Sequence, residues 1–295
     1  MDFSLFAELA INGALSGLMY SLVAMGIVII YKSSSVPNLA QGAMTMLGAY
    51  VVLAIANGLG VSMWVAIPLA MGTMFFVGMG IERVALRRLA GRPIIMILMM
   101  TLGLDIFIRA TTMAIWGGSG LPLSIGISDD PLFLGPVLLS RAYVVSAVVA
   151  IALFLVLMFF FRTRRGIVLR AISDDYIASW SIGISVERGV AFSWAMSSVL
   201  ATTAGVLWGS VQGVSQALAL LLLKGLTVAV LGGLDSIGGA ILAGLLLGLI
   251  EGVASGYLDP LVGGGSRDLV VATILILTIL IRPHGLFGRH DIERI

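Results

Sequence analysis

The 295-residue chain is 59% hydrophobic and only 11% charged, with 17 Lys and Arg against 15 Asp and Glu and a mean hydropathy of +1.11. Soluble domains are roughly half apolar and a quarter charged, so a water-soluble fold is excluded. There is no cysteine, which excludes disulfide frameworks, thiolate metal sites and thiol nucleophiles, and no nucleic-acid partner is expected.

Lipid gives the backbone no hydrogen-bond partner, so a spanning chain forms helices or a closed barrel. Continuous apolar runs such as 11–31, 142–161 and 240–250 lack the alternation of barrel strands and approach the roughly 20 residues that cross a bilayer. The class is an all-α polytopic membrane protein, a single transmembrane domain over 1–295. About nine transmembrane helices are expected, at 8–30, 39–56, 62–81, 94–116, 142–161, 189–211, 218–234, 237–257 and 268–281.

In chain order, residues 1–11 carry Asp2 and Glu8 and lack a basic leader and a small-residue cleavage site, so the first run is expected to stay as a helix. The second opens with Asn38, Gln41 and Thr45 at helical spacing; Asn38 reads either as a cap or as a pathway group, and Thr45 as an internally bonded hydroxyl or a pathway group. The fourth holds Asp105 and Arg109, which share a face four residues apart and form either a structural bridge between helices or a pair lining a polar path. Between the fifth and sixth lies the longest polar loop, 162–188, with Arg162, Arg164, Arg165, Arg170, Arg188, Asp174 and Asp175 around short amphipathic stretches containing Ile172, Ile177, Trp180 and Ile182. It is longer than a connection needs and suits a docking surface. Gly205, Gly209 and Gly213 recur every four residues in the sixth helix and Gly244, Gly248, Gly252 and Gly256 in the eighth, with Gly13 and Gly17 a weaker echo, a spacing that lets membrane helices approach closely. The seventh is short and carries Lys224, and the eighth carries Glu251; both are costly in lipid unless partnered. The segments after Ser34 and Ala217 are short enough to be broken or re-entrant, which would reduce the count to eight.

Alternate loops collect Lys32; Arg83, Arg87, Arg88 and Arg92; the five arginines of 162–188; and Arg282, Arg289 and Arg294. The opposite loops hold only Arg141 and Arg267. The positive-inside rule therefore puts the amino terminus outside (periplasmic) and the carboxyl terminus in the cytoplasm. There is no phosphate-binding G-x-x-x-x-G-K-[ST] loop and no H-E-x-x-H, and the two histidines, His284 and His290, lie in the tail, so an enzyme is not expected, and neither is a cofactor or metal. A carrier of solutes is the natural alternative.

Several separated segments carry a family resemblance: NGALSGLMYSLVAMGIVIIYKSS (12–34), PNLAQGAMTMLGAYV (37–51), TLGLDIFIRATTMAIWG (101–117), GIVLRAISDDYIASWSIGISVERGVAFSWAMSSVLATTAGVLWG (166–209), LKGLTVAVLGGLDSIGGAILAGLLLGLIEG (223–252) and LILTILIRPHGLFG (275–288). Together they resemble the LivH-like permease subunits of bacterial ABC importers for branched-chain amino acids. The resemblance implies a multi-pass inner-membrane (plasma-membrane) permease that pairs with a second homologous permease, two ATP-binding subunits and a periplasmic substrate-binding protein. Residues 166–183 match the family's cytoplasmic coupling loop, with Arg165, Gly166, Arg170, Asp174, Ala178, Ser179 and Gly183 as candidate ATPase contacts. Two departures fall where a path runs: Gln41 and Ala43 stand where the family commonly has a histidine and an acidic residue, and Asp105 and Arg109 stand in a helix that is usually apolar. Related permeases carry urea, short amides, or aromatic and other organic acids. Alternating access driven by partner ATPases is the expected mechanism, with Asn38, Gln41, Thr45, Asp105, Arg109 and Glu251 as pathway candidates. The competing expectations are an ATP-independent secondary transporter or channel, and a purely structural scaffold.

Overall fold

The computed structural model describes residues 3–89, 91–127, 130–135, 137–174 and 176–288. The expected tail residues Arg289, His290 and Arg294, and Asp175 of the polar loop, lie outside them. Eleven α-helices make up the described fold: α1 (Phe3–Ser34), α2 (Gln41–Leu59), α3 (Met63–Ile81), α4 (Ile94–Trp116), α5 (Arg141–Arg162), α6 (Arg164–Asp174), α7 (Tyr176–Ser181), α8 (Val186–Gln212), α9 (Leu221–Gly232), α10 (Ile237–Val262) and α11 (Ser266–Ile281). A small antiparallel hairpin, β1 (Leu132–Leu134) and β2 (Val137–Leu139), precedes α5, in the register Leu132 opposite Leu139. Seven of the described helices are long and apolar enough to cross a membrane. The other two expected spans form shorter helices: α9, with the 3₁₀ turn Gln216–Leu220 in front of it, and α11.

The core is α1, wrapped by α8, α9 and α10, with α2 and α3 completing it through α8. Close contact requires small residues at the crossings, and glycine supplies them. A Cβ on Gly17 would fall on the carbonyl of Gly244, and one on Gly248 on the carbonyl of Gly13. The weak echo in the first helix is therefore the other half of the eighth helix's glycine row. Gly205 sits against the Thr45 carbonyl of α2 in the same way, whereas Gly213 ends α8 at φ +80° and serves as a cap. Helices α4, α5 and α11 lie at the margin, with Ile106, Phe107, Val156, Phe159, Leu280 and Ile281 exposed, as expected of faces meeting lipid or another membrane chain.

α3 runs on through a π turn, Glu82–Leu86, and a 3₁₀ turn, Arg87–Leu89. The wider turn buries Glu82, which pairs at 3.0 Å with Arg87, and Arg87 reaches Glu187 of α8 at 3.4 Å. π turns occur most often where a helix does something specific; this one pins the start of α8, directly after the polar loop, to the end of α3.

Candidate functional site

At the end of the molecule that holds the carboxyl ends of α1 and α5, the polar loop folds into the hairpin α6–α7. Leu169 and Ile172 turn one face of α6 into the core, and Gly166 packs so closely on α5 that a Cβ would collide with the Phe161 backbone. Arg170 donates to the Phe161 carbonyl at 2.7 Å, and the buried Ser179 hydroxyl donates to the Ala171 carbonyl at 2.9 Å. Gly183, at φ +86°, makes the turn that leads into α8. Of the seven candidate contacts, Gly166, Arg170 and Ser179 thus hold the hairpin's shape, while Arg165, Asp174, Ala178 and Gly183 are exposed. Trp180 and Ile182, 70% and 75% exposed, were visible in the sequence as amphipathic residues but not as contacts. Next to the hairpin, Lys32 donates to the Asp235 carbonyl at 2.7 Å, and a polar cavity of about 160 Å³ lies between Lys32, Ser35, Arg170, Asp174 and Asp235.

The Asn38 group lies inside the bundle. Asn38, Gln41 and Thr45 are fully buried where α2 enters between α1 and α8. Asn38 accepts from the Ala40 amide at 2.9 Å, an Asx turn that sets up the helix start, and donates to Gln41 Oε1 at 3.2 Å. Ser197 of α8 faces two acceptors with one proton, Gln41 Oε1 at 2.8 Å and the Gly26 carbonyl at 2.9 Å, and Gln41 Nε2 donates back to the Ser197 carbonyl at 3.3 Å. Thr45 donates to the Gln41 carbonyl at 2.9 Å. Gly26 leaves the room that the Gln41 amide occupies. The network joins three helices and lines none of the cavities described.

Asp105 and Arg109 pair with each other along α4, not across two helices. The Asp105 side chain is 4% exposed and that of Arg109 33%; Asp105 Oδ1 and Arg109 Nε have no hydrogen-bond partner. No hydrogen bond among the described residues joins this pair to the Asn38 group.

Glu251 is brought together with residues that sequence reasoning had not linked. Its Oε1 takes a 2.6 Å ion pair from Lys224 of α9 and a 3.2 Å hydrogen bond from Tyr20 of α1. Lys224 also donates to the Tyr20 hydroxyl at 3.1 Å and lies 3.8 Å from Asp268. The Tyr20 ring stacks on Trp208 at 4.9 Å. Lys224 was legible as a costly charge; its partners, some 27 and 204 residues away in sequence, were not.

Comparison with known proteins bears on this arrangement. A family model described as the branched-chain amino acid transport system permease component matches residues 9–281. The chain belongs to that family. The permease protein LivH of the high-affinity branched-chain amino acid transport system of Escherichia coli is 29% identical, over 100% of this chain and 99% of its own length. BraD of the corresponding Pseudomonas aeruginosa system is 29% identical over 98% of both chains. Among solved structures, PsaBC from Streptococcus pneumoniae in complex with Fab covers 92% of this permease and 91% of its own chain with a TM-score of 0.51 and 15% identity, a likeness of fold. The permease is thus a transport subunit of the membrane, and its chemistry is recognition and movement, not bond making.

Proposed function

We propose that this permease is one transmembrane subunit of an ATP-driven importer for branched-chain amino acids or related small polar or organic solutes. It would sit in the inner membrane beside a second, homologous permease and work with two ATP-binding subunits and a periplasmic substrate-binding protein. The observation that carries the reading is the α6–α7 hairpin: a short two-helix element locked to α5 by Gly166 and Arg170, presenting Trp180, Ile182, Ala178 and Asp174 outward. An apolar knob on a rigid mount is what a groove on a partner needs to push against a helix bundle. The single 1–295 permease domain would contain residues 162–188 as its coupling loop, and Arg165, Gly166, Arg170, Asp174, Ala178, Ser179 and Gly183 would transmit the movement, some by contact and some by fixing the hairpin.

Nine crossings, with the amino terminus periplasmic and the carboxyl terminus cytoplasmic, fit the packing. Asn12 near the start of α1 bonds Leu138 and Ser140 ahead of α5, and Gly252 near the end of α10 meets Leu9. At the other end Lys32 reaches Asp235, and Leu286 and Phe287 after α11 bond the Leu231 and Gly232 carbonyls. The four crossings α1 to α4 ahead of α5, with α9 and α11 as the two short ones, satisfy these contacts. At about 1.5 Å per residue the 16 residues of α11 rise roughly 24 Å, short of a bilayer core, so local thinning or flanking turns make up the rest.

For the pathway, Asp105, Arg109 and Glu251 remain the groups we assign to solute passage. Asn38, Gln41 and Thr45 would join it only in a state where α1, α2 and α8 part. Replacing Ala178 by Glu in the assembled transporter should leave the complex intact and abolish solute-stimulated ATP hydrolysis. Unchanged hydrolysis and uptake would remove the hairpin from the mechanism.

A further inference from the structure

We infer that the groove between α5 and α10, at the end of the bundle that carries the α6–α7 hairpin, is a binding site for an anionic phospholipid, its phosphate met by Lys32, Arg162 and Arg170. The groove holds a cavity of about 260 Å³, walled on one side by Phe154, Met158 and Phe161 of α5 and on the other by Asp235, Ser236 and Gly238 at the entry to α10. α5 leans on α1 and scarcely touches α10, which leaves the cavity open between them.

Three helices deliver the cations. Lys32, in the last turn of α1, is fixed by its bond to the Asp235 carbonyl and lies 5.6 Å from the centre of the Phe161 ring. Arg170 of α6 spends one of its five N–H groups on the Phe161 carbonyl. Arg162 ends α5, is exposed and forms no ion pair among the described residues. Against them stand Asp235 and, in the adjoining polar cavity that shares Lys32 and Arg170, Asp174. Three cations facing two carboxylates leave one positive charge. A lipid of net charge minus one neutralises it, and a zwitterionic lipid does not.

The depth is that of a headgroup. At about 1.5 Å per residue the 22 residues of α5 rise roughly 33 Å, enough to cross a bilayer core of about 30 Å, so Arg162 at its end stands where headgroups lie. From there an apolar track leads towards the membrane centre. Ile151, Leu155 and Met158 share the face of α5 that ends in Arg162, and Leu242, Leu246 and Leu249 follow Gly238 along α10, all six exposed. A soluble phosphate would use the cations and gain nothing from these side chains, whereas an acyl chain uses both. Arg170 also braces the hairpin, so the lipid ties the hairpin's mount to the membrane surface. The site stands on this geometry and needs none of the transport reading.

The test is native mass spectrometry of the purified chain, with any subunits that copurify, titrated in detergent with phosphatidylglycerol and, separately, with phosphatidylethanolamine. The expected result is saturable binding of phosphatidylglycerol, with phosphatidylethanolamine bound about fivefold more weakly or worse. Arg162→Gln should weaken phosphatidylglycerol binding about fivefold, the loss of one basic contact to an anionic lipid. Arg164→Gln removes the same charge two residues on, from a side chain that does not line the cavity, and should leave binding unchanged. Both arginines are exposed, so both variants keep the fold. Equal binding of the two lipids, equal effects of the two variants, or binding that never saturates would overturn the site. Displacement of phosphatidylglycerol by an excess of inorganic phosphate would also overturn it, in favour of a soluble anion.

Discussion

Glu251 and Lys224 show what a single residue can cost in a membrane bundle. Glu251 is buried and Lys224 half-buried because each neutralises the other, and Tyr20 bridges them. Removing one partner strands a charge, which typically costs about 3–5 kcal/mol, whereas replacing both by apolar groups is often neutral. Lys224→Met alone should therefore lower the unfolding temperature in detergent sharply, and the double change Lys224→Met with Glu251→Leu should recover most of the loss. If the single and double variants unfold alike, the pair is not the strut described. Gln41 is a different case. Its amide satisfies groups on Asn38 and Ser197, so Gln41→Leu leaves buried polar atoms unpaired and should cost about 1–3 kcal/mol. A variant of full stability with altered solute preference would instead make Gln41 a pathway group.

At the scale of elements, the glycine row of α1 and α10 carries the architecture. Gly13, Gly17, Gly244 and Gly248 meet backbone to backbone, leaving no side chain that can yield. Gly248→Leu should separate the helices and abolish accumulation of folded protein in the membrane, whereas Gly58→Ala or Gly72→Ala, where a Cβ meets nothing within 4 Å, should be tolerated; the check is yield of monodisperse protein on gel filtration. Much of this scale could be read beforehand. The expected spans at 94–116 and 62–81 match α4 and α3 to within a residue, since Pro93, Gly117 and Ser62 bracket them. α1 starts five residues earlier and ends four later, and α10 ends five later, than the apolar runs suggested, because Lys32, Asp259 and their neighbours continue the helices into polar surroundings. The loop 162–188 stood out in the sequence by its length and charge, and it folds as the hairpin α6–α7. Which of its residues brace and which project was not legible there, because Arg170 and Ser179 look like surface groups until α5 and α6 are seen to offer them carbonyls. Ser197 gave no signal at all: one serine among many in α8, distinguished only by facing Gln41 and Gly26.

For the whole molecule, a mostly apolar bundle whose buried carboxylates are paired, Glu82 with Arg87, Asp105 with Arg109 and Glu251 with Lys224, is read as a passive body driven by an external source of work. Family membership over residues 9–281 implies that source in partner subunits, and the braced hairpin is the element we propose they act on. The most direct measurement is uptake of radiolabelled branched-chain amino acids into proteoliposomes containing this chain alone, and containing it with its second permease, ATP-binding subunits and binding protein. Uptake only in the complete set, requiring ATP hydrolysis and indifferent to a proton gradient, is the predicted result. Uptake by the chain alone, driven by a proton gradient without ATP, would contradict it.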